Sequence, residues 1–332
     1  SEQKVTSRRI PAQWGAGLTQ MVPVRRIADR YAEHHPEYVV FRDERGYPNP
    51  ELPPGARHDA VMVGDSFLLS LGTQNVAQVL SSIGGISLYN RGRMGVGPFR
   101  ELERHIRFPM QLQPRVVIWN LSGRELDGGY FSRQPIEAWF RGVEVWADYT
   151  ESMSRSHVRW IGLTPKALSQ AWPNTSMLAY ASRKGWAQVK LVVFGEWPRD
   201  VLGADDPQFG PMLFYRENLR VLPRLDPEGD APAVVSTVLK VAKGFRERGE
   251  TLVVLLVPEK EQIHVGALSA EDQNALARGP ELMAAIESGL TSEGVSVVNL
   301  MPVFQGATAR GERLYWRDDT HWNDAGIRLA AE

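Results

Sequence analysis
The sequence predicts an α/β fold built on a central, doubly wound parallel sheet with helices on both faces. Three observations carry this. Short β-rich runs recur from Asp59 onward, helix-length segments separate them, and the pattern begins only after a proline-rich lead-in. The expected strands are Ala60–Val63, Ile86–Tyr89, Arg115–Trp119, Thr251–Val257 and Val295–Leu300, and the expected helices Phe67–Ser82, Pro98–Phe108, Ala233–Arg248 and Glu271–Gly289. Strands that alternate with helices pair in parallel, because each return needs a crossover.

Residues 1–58 hold Pro11, Pro23, Pro36, Pro48, Pro50, Pro53 and Pro54 and one expected helix around Val24–His34, so they form an irregular lead-in wrapping the sheet edge. The catalytic-type domain runs 59–332, with an insertion at about 126–250 that is too long for a simple crossover. That insertion contains Trp139, Trp146, Trp160, Trp172, Trp186 and Trp197, six of the ten tryptophans, and a further expected strand at Val189–Phe194. Pro223–Pro232 reads as a short polar loop. The tryptophans could stack on a sugar ring, but packing of an added helical layer is the commoner use of such residues.

At 332 residues, 43% hydrophobic and 23% charged, the chain can bury a sizeable core. A net charge of −1 gives no electrostatic case for nucleic acid or an anionic membrane surface. Without cysteine, disulfides, thiol catalysis and cysteine-based zinc sites are excluded. No transmembrane segment is expected in this chain. It opens at Ser1 without a charged n-region or an apolar h-region, which is compatible with a removed signal peptide or anchor, and Ala330-Ala331-Glu332 falls inside a helix expected from near Asn323.

The chemistry lies in two distant segments. Gly64-Asp65-Ser66 follows the apolar run Val61-Met62-Val63, and Asp318-Asp319-Thr320-His321-Trp322-Asn323 comes far downstream. A serine at a strand-to-helix turn, with glycine permitting the bend, exposes its hydroxyl, and an imidazole and a carboxylate complete the set that covalent acyl transfer needs. In doubly wound sheets ligands bind beyond the carboxyl ends of the strands. Ser66, Gly95 and Asn120 each follow an expected strand, and His321 sits in a loop after the last one.

The remaining histidines lack that context. His34 and His35 lie in the lead-in, and His105 and His157 in helix-like segments, while His58 and His264 could border the cleft. Asp65 reads as a turn or helix-cap residue and Asn90 as a turn former. Arg124 stands between a solvated charge and a clamp for a substrate carboxylate. Metal chemistry finds no support, since Asp318-Asp319-x-His321 lacks the spacing of catalytic zinc, and Gly92–Gly97 lacks the glycine order of a dinucleotide loop.

Four blocks give the chain a resemblance to the SGNH (GDSL-type) hydrolases, and within them to the alginate O-acetyltransferase-like branch. Asp59–Phe67 resembles the nucleophile block, Leu88–Gly95 the second block, Leu255–Lys260 a strand-to-loop segment of the acetyltransferase branch, and Leu314–Trp322 its Asp-Thr-His-Trp signature. The resemblance implies an SGNH-type α/β/α three-layer, flavodoxin-like fold and a Ser-His-Asp triad. Its members would be Ser66, His321 and either Asp319, by the branch's Asp-x-His spacing, or Asp318, by the ordinary Asp-x-x-His spacing; the flanking Thr320 and Trp322 favour Asp319.

The same resemblance implies an oxyanion hole made by the Ser66 and Gly95 N–H groups. Asn120 is the nearest match to the usual third-block asparagine, because Trp119-Asn120-Leu121-Ser122 replaces Gly-x-Asn-Asp. Arg124, Trp316 and Trp322 are substrate-binding candidates. The implied function is O-acetylation of an exopolysaccharide or cell-surface glycan, in the periplasm or another extracytoplasmic space. An acetyl donor would serve as co-substrate, no cofactor is needed, and a membrane-bound partner would deliver the acetyl group. An esterase and a non-catalytic carbohydrate-binding protein are the rival expectations. Here the serine precedes the Asp-x-His pair, the reverse of the alginate enzymes, so the alginate substrate does not carry over.

Overall fold
The structure, a computed structural model, describes residues 6–10, 18, 25–33, 38–43, 47–49, 58–69, 74–109, 114–143, 186 and 188–332. An antiparallel pair, β1 (Thr6–Ile10) and β2 (Tyr38–Arg42), flanks the helix α1 (Arg25–Tyr31) in the lead-in. Five strands then form one parallel sheet: β3 (Ala60–Gly64), β4 (Leu88–Gly92), β5 (Val116–Ser122), β8 (Thr251–Val257) and β9 (Ser296–Asn299). Their spatial order β4-β3-β5-β8-β9 is the flavodoxin-like order, which reverses direction between β3 and β5. All five expected strands are present, the second displaced toward its C-terminal side.

The core explains the sheet. Val61, Met62, Val63, Val117, Trp119, Leu121, Val254, Leu256 and Val257 are fully buried, so successive residues pointing to opposite faces are both covered. The helices α3 (Gly97–Arg107), α7 (Pro227–Glu247) and α10 (Gly279–Ser292) pack over one face. α2 (Val76–Gly84), α11 (Leu300–Ala309) and α12 (Asp324–Ala331) cover the other, which completes three layers. Among the described residues no helix is long and apolar enough to cross a membrane.

Several expected boundaries move. No single helix follows Ser66: Ser66–Leu68 is one 3-10 turn, and α2 starts afresh at Val76 under a capping box made by Asn75 and Gln78. Pro280, near the start of α10, splits the expected Glu271–Gly289 helix into α9 (Ala270–Leu276) and α10. The Pro223–Pro232 loop is corrected too. Asp226 caps α7, Pro227 occupies its first turn, and Pro232 lies inside the helix. Since α7 lies on the sheet, the inserted segment ends before it.

The described part of that insertion comprises α4 (Gly128–Ser132), α5 (Ile136–Phe140), a helical stretch at 188–194, and a hairpin of β6 (Val201–Asp206) and β7 (Gly210–Tyr215) followed by α6 (Arg216–Val221). The β-branched run read as a strand at Val189–Phe194 is therefore helical, a case of context overriding propensity. Trp139 is core, and Trp197 packs edge-on against Tyr31. Trp186 is exposed, and Trp146, Trp160 and Trp172 lie outside the described residues. In the lead-in, the Asn49 side chain accepts from the Asn90 N–H at 2.8 Å and donates to its carbonyl at 3.0 Å, at the edge strand β4.

Gly64 ends β3 where β5 comes closest: a Cβ there would lie 2.8 Å from Asn120 Cβ and 3.2 Å from the Asn120 carbonyl oxygen. Gly64→Ala must push the two strands apart immediately before Ser66. The expected loss is about 1–3 kcal/mol of stability, with a larger proportional loss of activity. Urea unfolding together with turnover at matched folded fraction checks it, and wild-type values in both would show that the contact relaxes freely.

Candidate active site
Ser66, Asn120 and Gly95 stand at the carboxyl ends of the sheet, around the point where strand order reverses. The turn that presents Ser66 is held from both sides. Asp65 caps it, accepting the Phe67 N–H at 2.9 Å, and the Asn90 carboxamide donates to the Leu68 carbonyl at 2.8 Å while accepting the Gly92 N–H at 2.7 Å. Asn90 thus lies within β4 and ties two rim segments together. Gly95 is exposed at φ +68°, a left-handed conformation that glycine adopts without strain.

The structure brings the serine, an imidazole and one carboxylate into line. His321 Nε2 lies 2.8 Å from Ser66 Oγ, and His321 Nδ1 lies 2.5 Å from Asp319 Oδ1, which also accepts the His321 backbone N–H at 2.9 Å. With Nδ1–H donated to the carboxylate, Nε2 is left to accept the serine proton. Asp318 turns away, and its Oδ2 accepts the Glu33 N–H at 3.1 Å. The geometry therefore selects Asp319 as the imidazole's partner.

Phe67 lies against the imidazole at 5.1 Å, and Trp322 sits edge-on to Phe67 at 5.5 Å. Burial pulls the His321 pKa down, but the charge and hydrogen bond of Asp319, with Asp65 behind, outweigh it and hold the imidazole above its ordinary value. For Asp319, burial acts upward, yet His321 and then Lys260 bring the carboxyl below its ordinary value.

Other candidates are placed differently from expectation. Trp322 is fully buried in the core, so its assignment to substrate binding is corrected: it supports Phe67 and the loop rather than offering a platform. Trp316 keeps only 6% of its surface. His58 precedes β3, at the opposite end of the sheet from Ser66, and its Nδ1 meets Ser87 Oγ at 3.0 Å. His264 is buried against Asp206 at 3.1 Å. Neither borders the cleft. Asn120 is fully buried beneath the serine turn, with its amide donating to Asp65 Oδ1 at 3.0 Å.

Arg124 keeps 27% of its side chain exposed, 3.8 Å from Asp65 and 3.7 Å from Glu259. Next to it, burial and the neighbouring Asp65 push the Glu125 carboxyl well above its ordinary value, with Arg124 pulling the other way. Among the described residues no group of three or more His, Cys, Asp or Glu side chains is arranged to hold a metal ion.

Sequence reasoning missed a run of three buried charges after β8, two of which open the short helix α8 (Lys260–Ile263). Glu259, Lys260 and Glu261 are each fully buried. Glu259 accepts from the Arg124 N–H at 3.3 Å and from Asn218 at 3.1 Å, and Glu261 accepts from Asn218 at 2.9 Å and from the Tyr215 N–H at 2.8 Å. Burial leads the forces that push Glu259 up to about 7, with Arg124 pulling the other way. The available signal was three adjacent charges at the carboxyl end of an otherwise apolar strand.

Residues 212–332 match the family model described as the SGNH hydrolase-like domain of acetyltransferase AlgX. The match includes the loop of Asp319 and His321 and the Glu259-Lys260-Glu261 run, while Ser66 lies outside it. It supports the SGNH, alginate O-acetyltransferase-like branch read from the sequence and, at that level, chemistry of the esterase or acyltransferase kind. No curated protein matches the chain.

Two outcomes follow from the geometry. Asp319→Asn should lower turnover on the order of 10⁴-fold while Asp318→Asn leaves it within a few-fold, because only Asp319 reaches the imidazole. Steady-state kinetics of the purified variants, with circular dichroism as a folding control, decides it; a larger loss at Asp318 would reverse the assignment. The second concerns pH. A protonated imidazole cannot accept the serine proton, so activity is lost as pH falls through the His321 pKa. Because that value is raised, the acid limb of kcat/KM should have its midpoint above 6.5. A midpoint below 6.5 would mean that Asp319 does not dominate the imidazole.

Proposed function
From the acetyltransferase-like match and the alignment of Ser66, His321 and Asp319, we propose that the protein is a serine acyltransferase. It takes an acetyl group onto Ser66 and passes it to a hydroxyl of an exopolysaccharide or cell-surface glycan. The observation that carries this is the 2.8 Å contact between His321 Nε2 and Ser66 Oγ, backed by Asp319. In the first half-reaction Ser66 Oγ attacks the carbonyl carbon of the acetyl donor as its proton passes to His321 Nε2. The tetrahedral oxyanion is met by the N–H groups of Ser66 and Gly95. Asn120, fully buried beneath the turn, acts through Asp65, which its amide holds at 3.0 Å, rather than as the third oxyanion donor.

Collapse of the intermediate expels the donor's leaving group, which takes the proton from His321. The acceptor hydroxyl then loses its proton to the same imidazole and attacks the acetyl-serine, and Ser66 leaves as the protonated alcohol. No cofactor enters beyond the acetyl donor. The work would take place in the periplasm or another extracytoplasmic space, with a membrane-bound partner delivering the acetyl group. Arg124, part exposed between Asp65 and Glu259, is the side chain of this rim suited to an anionic group on the acceptor.

Ser66→Ala should abolish p-nitrophenol release from p-nitrophenyl acetate and leave the thermal unfolding midpoint nearly unchanged; a burst of acylation in the variant would sink the assignment. To separate transfer from hydrolysis, the protein is incubated with an acetyl donor and a panel of uronic, neutral and amino-sugar oligosaccharides, and the products are weighed by mass spectrometry. At least one sugar should gain acetyl faster than free acetate appears. Acetate release dominating with every acceptor, together with fast deacetylation of acetylated glycans, would replace the transferase by an esterase.

A further inference from the structure
The segment that carries Asp319 and His321 has little regular structure. An isolated bridge between Tyr315 and Trp322 closes it, with Trp316 N–H donating to the His321 carbonyl at 3.2 Å. The segment 316–319 between these points must be held by something else, since small displacements of a catalytic group are costly.

Backbone contacts contribute: Glu33 accepts the Arg317 N–H at 2.8 Å, the Arg317 carbonyl accepts the Leu213 N–H at 2.8 Å, and the Asp318 carbonyl accepts the Leu18 N–H at 3.0 Å. One side chain gathers more of the segment's carbonyls than any of these. Lys260 is fully buried, and its ammonium donates to the carbonyl oxygens of Trp316 at 2.6 Å, Leu213 at 2.7 Å, Arg317 at 2.9 Å and Asp319 at 3.0 Å. Three of the four acceptors belong to the loop, and the fourth anchors it to β7. An ammonium has three hydrogens, so one is shared between two acceptors. Phe214 closes the pocket with its ring 5.2 Å from Nζ. The charged groups around the ammonium are Glu261, Asp319, Asp318 and Glu33. They pull against burial, which leads in bringing the lysine down to about 8, so it remains a cation at neutral pH.

We infer that Lys260 is a positioning residue for the acyl-transfer site: by clamping the carbonyls of Trp316, Arg317 and Asp319, it sets the Asp319 carboxylate against the His321 imidazole. The inference rests on the reading of Ser66 and His321 as nucleophile and base. It goes beyond fold stability, because three of the four clamped carbonyls, those of Trp316, Arg317 and Asp319, lie in the stretch that ends at the imidazole's carboxylate. Lys260 meets none of the reacting atoms and acts only through the loop.

The test is Lys260→Met, which keeps the length of the stem and removes all donors. The folded variant should lose about 100-fold in kcat for p-nitrophenyl acetate, the order expected for a misplacement of about 1 Å, with KM within about twofold. The His321 pKa, read by NMR titration in the resting protein, should fall toward 6.5 as Asp319 slackens, whereas simple removal of a neighbouring positive charge would raise it. Adding Asp319→Asn to Lys260→Met should cost far less than Asp319→Asn alone, because both changes disable one interaction.

Unchanged kcat, a raised His321 pKa or full additivity of the two substitutions would overturn the inference. If Lys260→Met does not fold, Lys260→Gln, which keeps two donors, takes its place: a smaller fall in kcat with a lowered His321 pKa supports the clamp, and wild-type values of both refute it. Ser66→Ala is run alongside. Activity surviving there would refute the acyl-transfer reading, and the NMR titration, which needs no turnover, would still decide the clamp.

Discussion

Three adjacent charges withdrawn from water must each find partners or be neutralised, and Glu259-Lys260-Glu261 meets that constraint with Asn218 shared between the two carboxylates and further partners for each side chain. Glu259 turns toward Arg124 and the turn that presents the serine, Lys260 toward the loop of the imidazole, and Glu261 toward the backbone at the end of β7. Segments far apart in sequence are thereby tied to the carboxyl end of β8. Removing one member would leave the others with uncompensated charge, so the run behaves as a unit, and the two halves of the site share one foundation.

The sheet contributes the other half of the arrangement. Its strand order reverses between β3 and β5, which opens a crevice where the serine turn sits, and Gly64 lets the two strands approach closely enough to bring Asn120 under Asp65. A carboxylate beside Ser66 puts a negative charge next to the hydroxyl. Here Asp65 is engaged by Phe67 N–H and Asn120, with Arg124 nearby, so its charge is spread over donors before any substrate arrives.

Much of this was legible in the residues. The five strands were readable because apolar, β-prone runs and helix-length spacers leave a local signature. Ser66, His321 and Asp319 stood out because their motifs are short and contiguous. Lys260 stood at the end of the branch-like block Leu255–Lys260, but its clamp was hidden because its partners are backbone carbonyls, which any residue possesses. Trp322 was a substrate-binding candidate from the Asp-Thr-His-Trp signature, yet its indole went to the core, because a shared motif does not fix which way each side chain turns. The start of α7 was obscured by prolines that usually break helices, although Pro227 stands in the first turn, where its missing N–H costs nothing. At Val189–Phe194 β-branched residues spoke for a strand and were overruled.

The 255 residues that separate Ser66 from His321 also set a clock. Chains grow at roughly 5–20 residues per second, so on the order of 10–50 s elapse at the ribosome between the making of the nucleophile and the making of its base. During that interval the serine has no imidazole to activate it, and early strands can pair while the chain is chemically inert. The contact between Ser66 and His321 thus appears late in synthesis, as a property of the assembled tertiary structure.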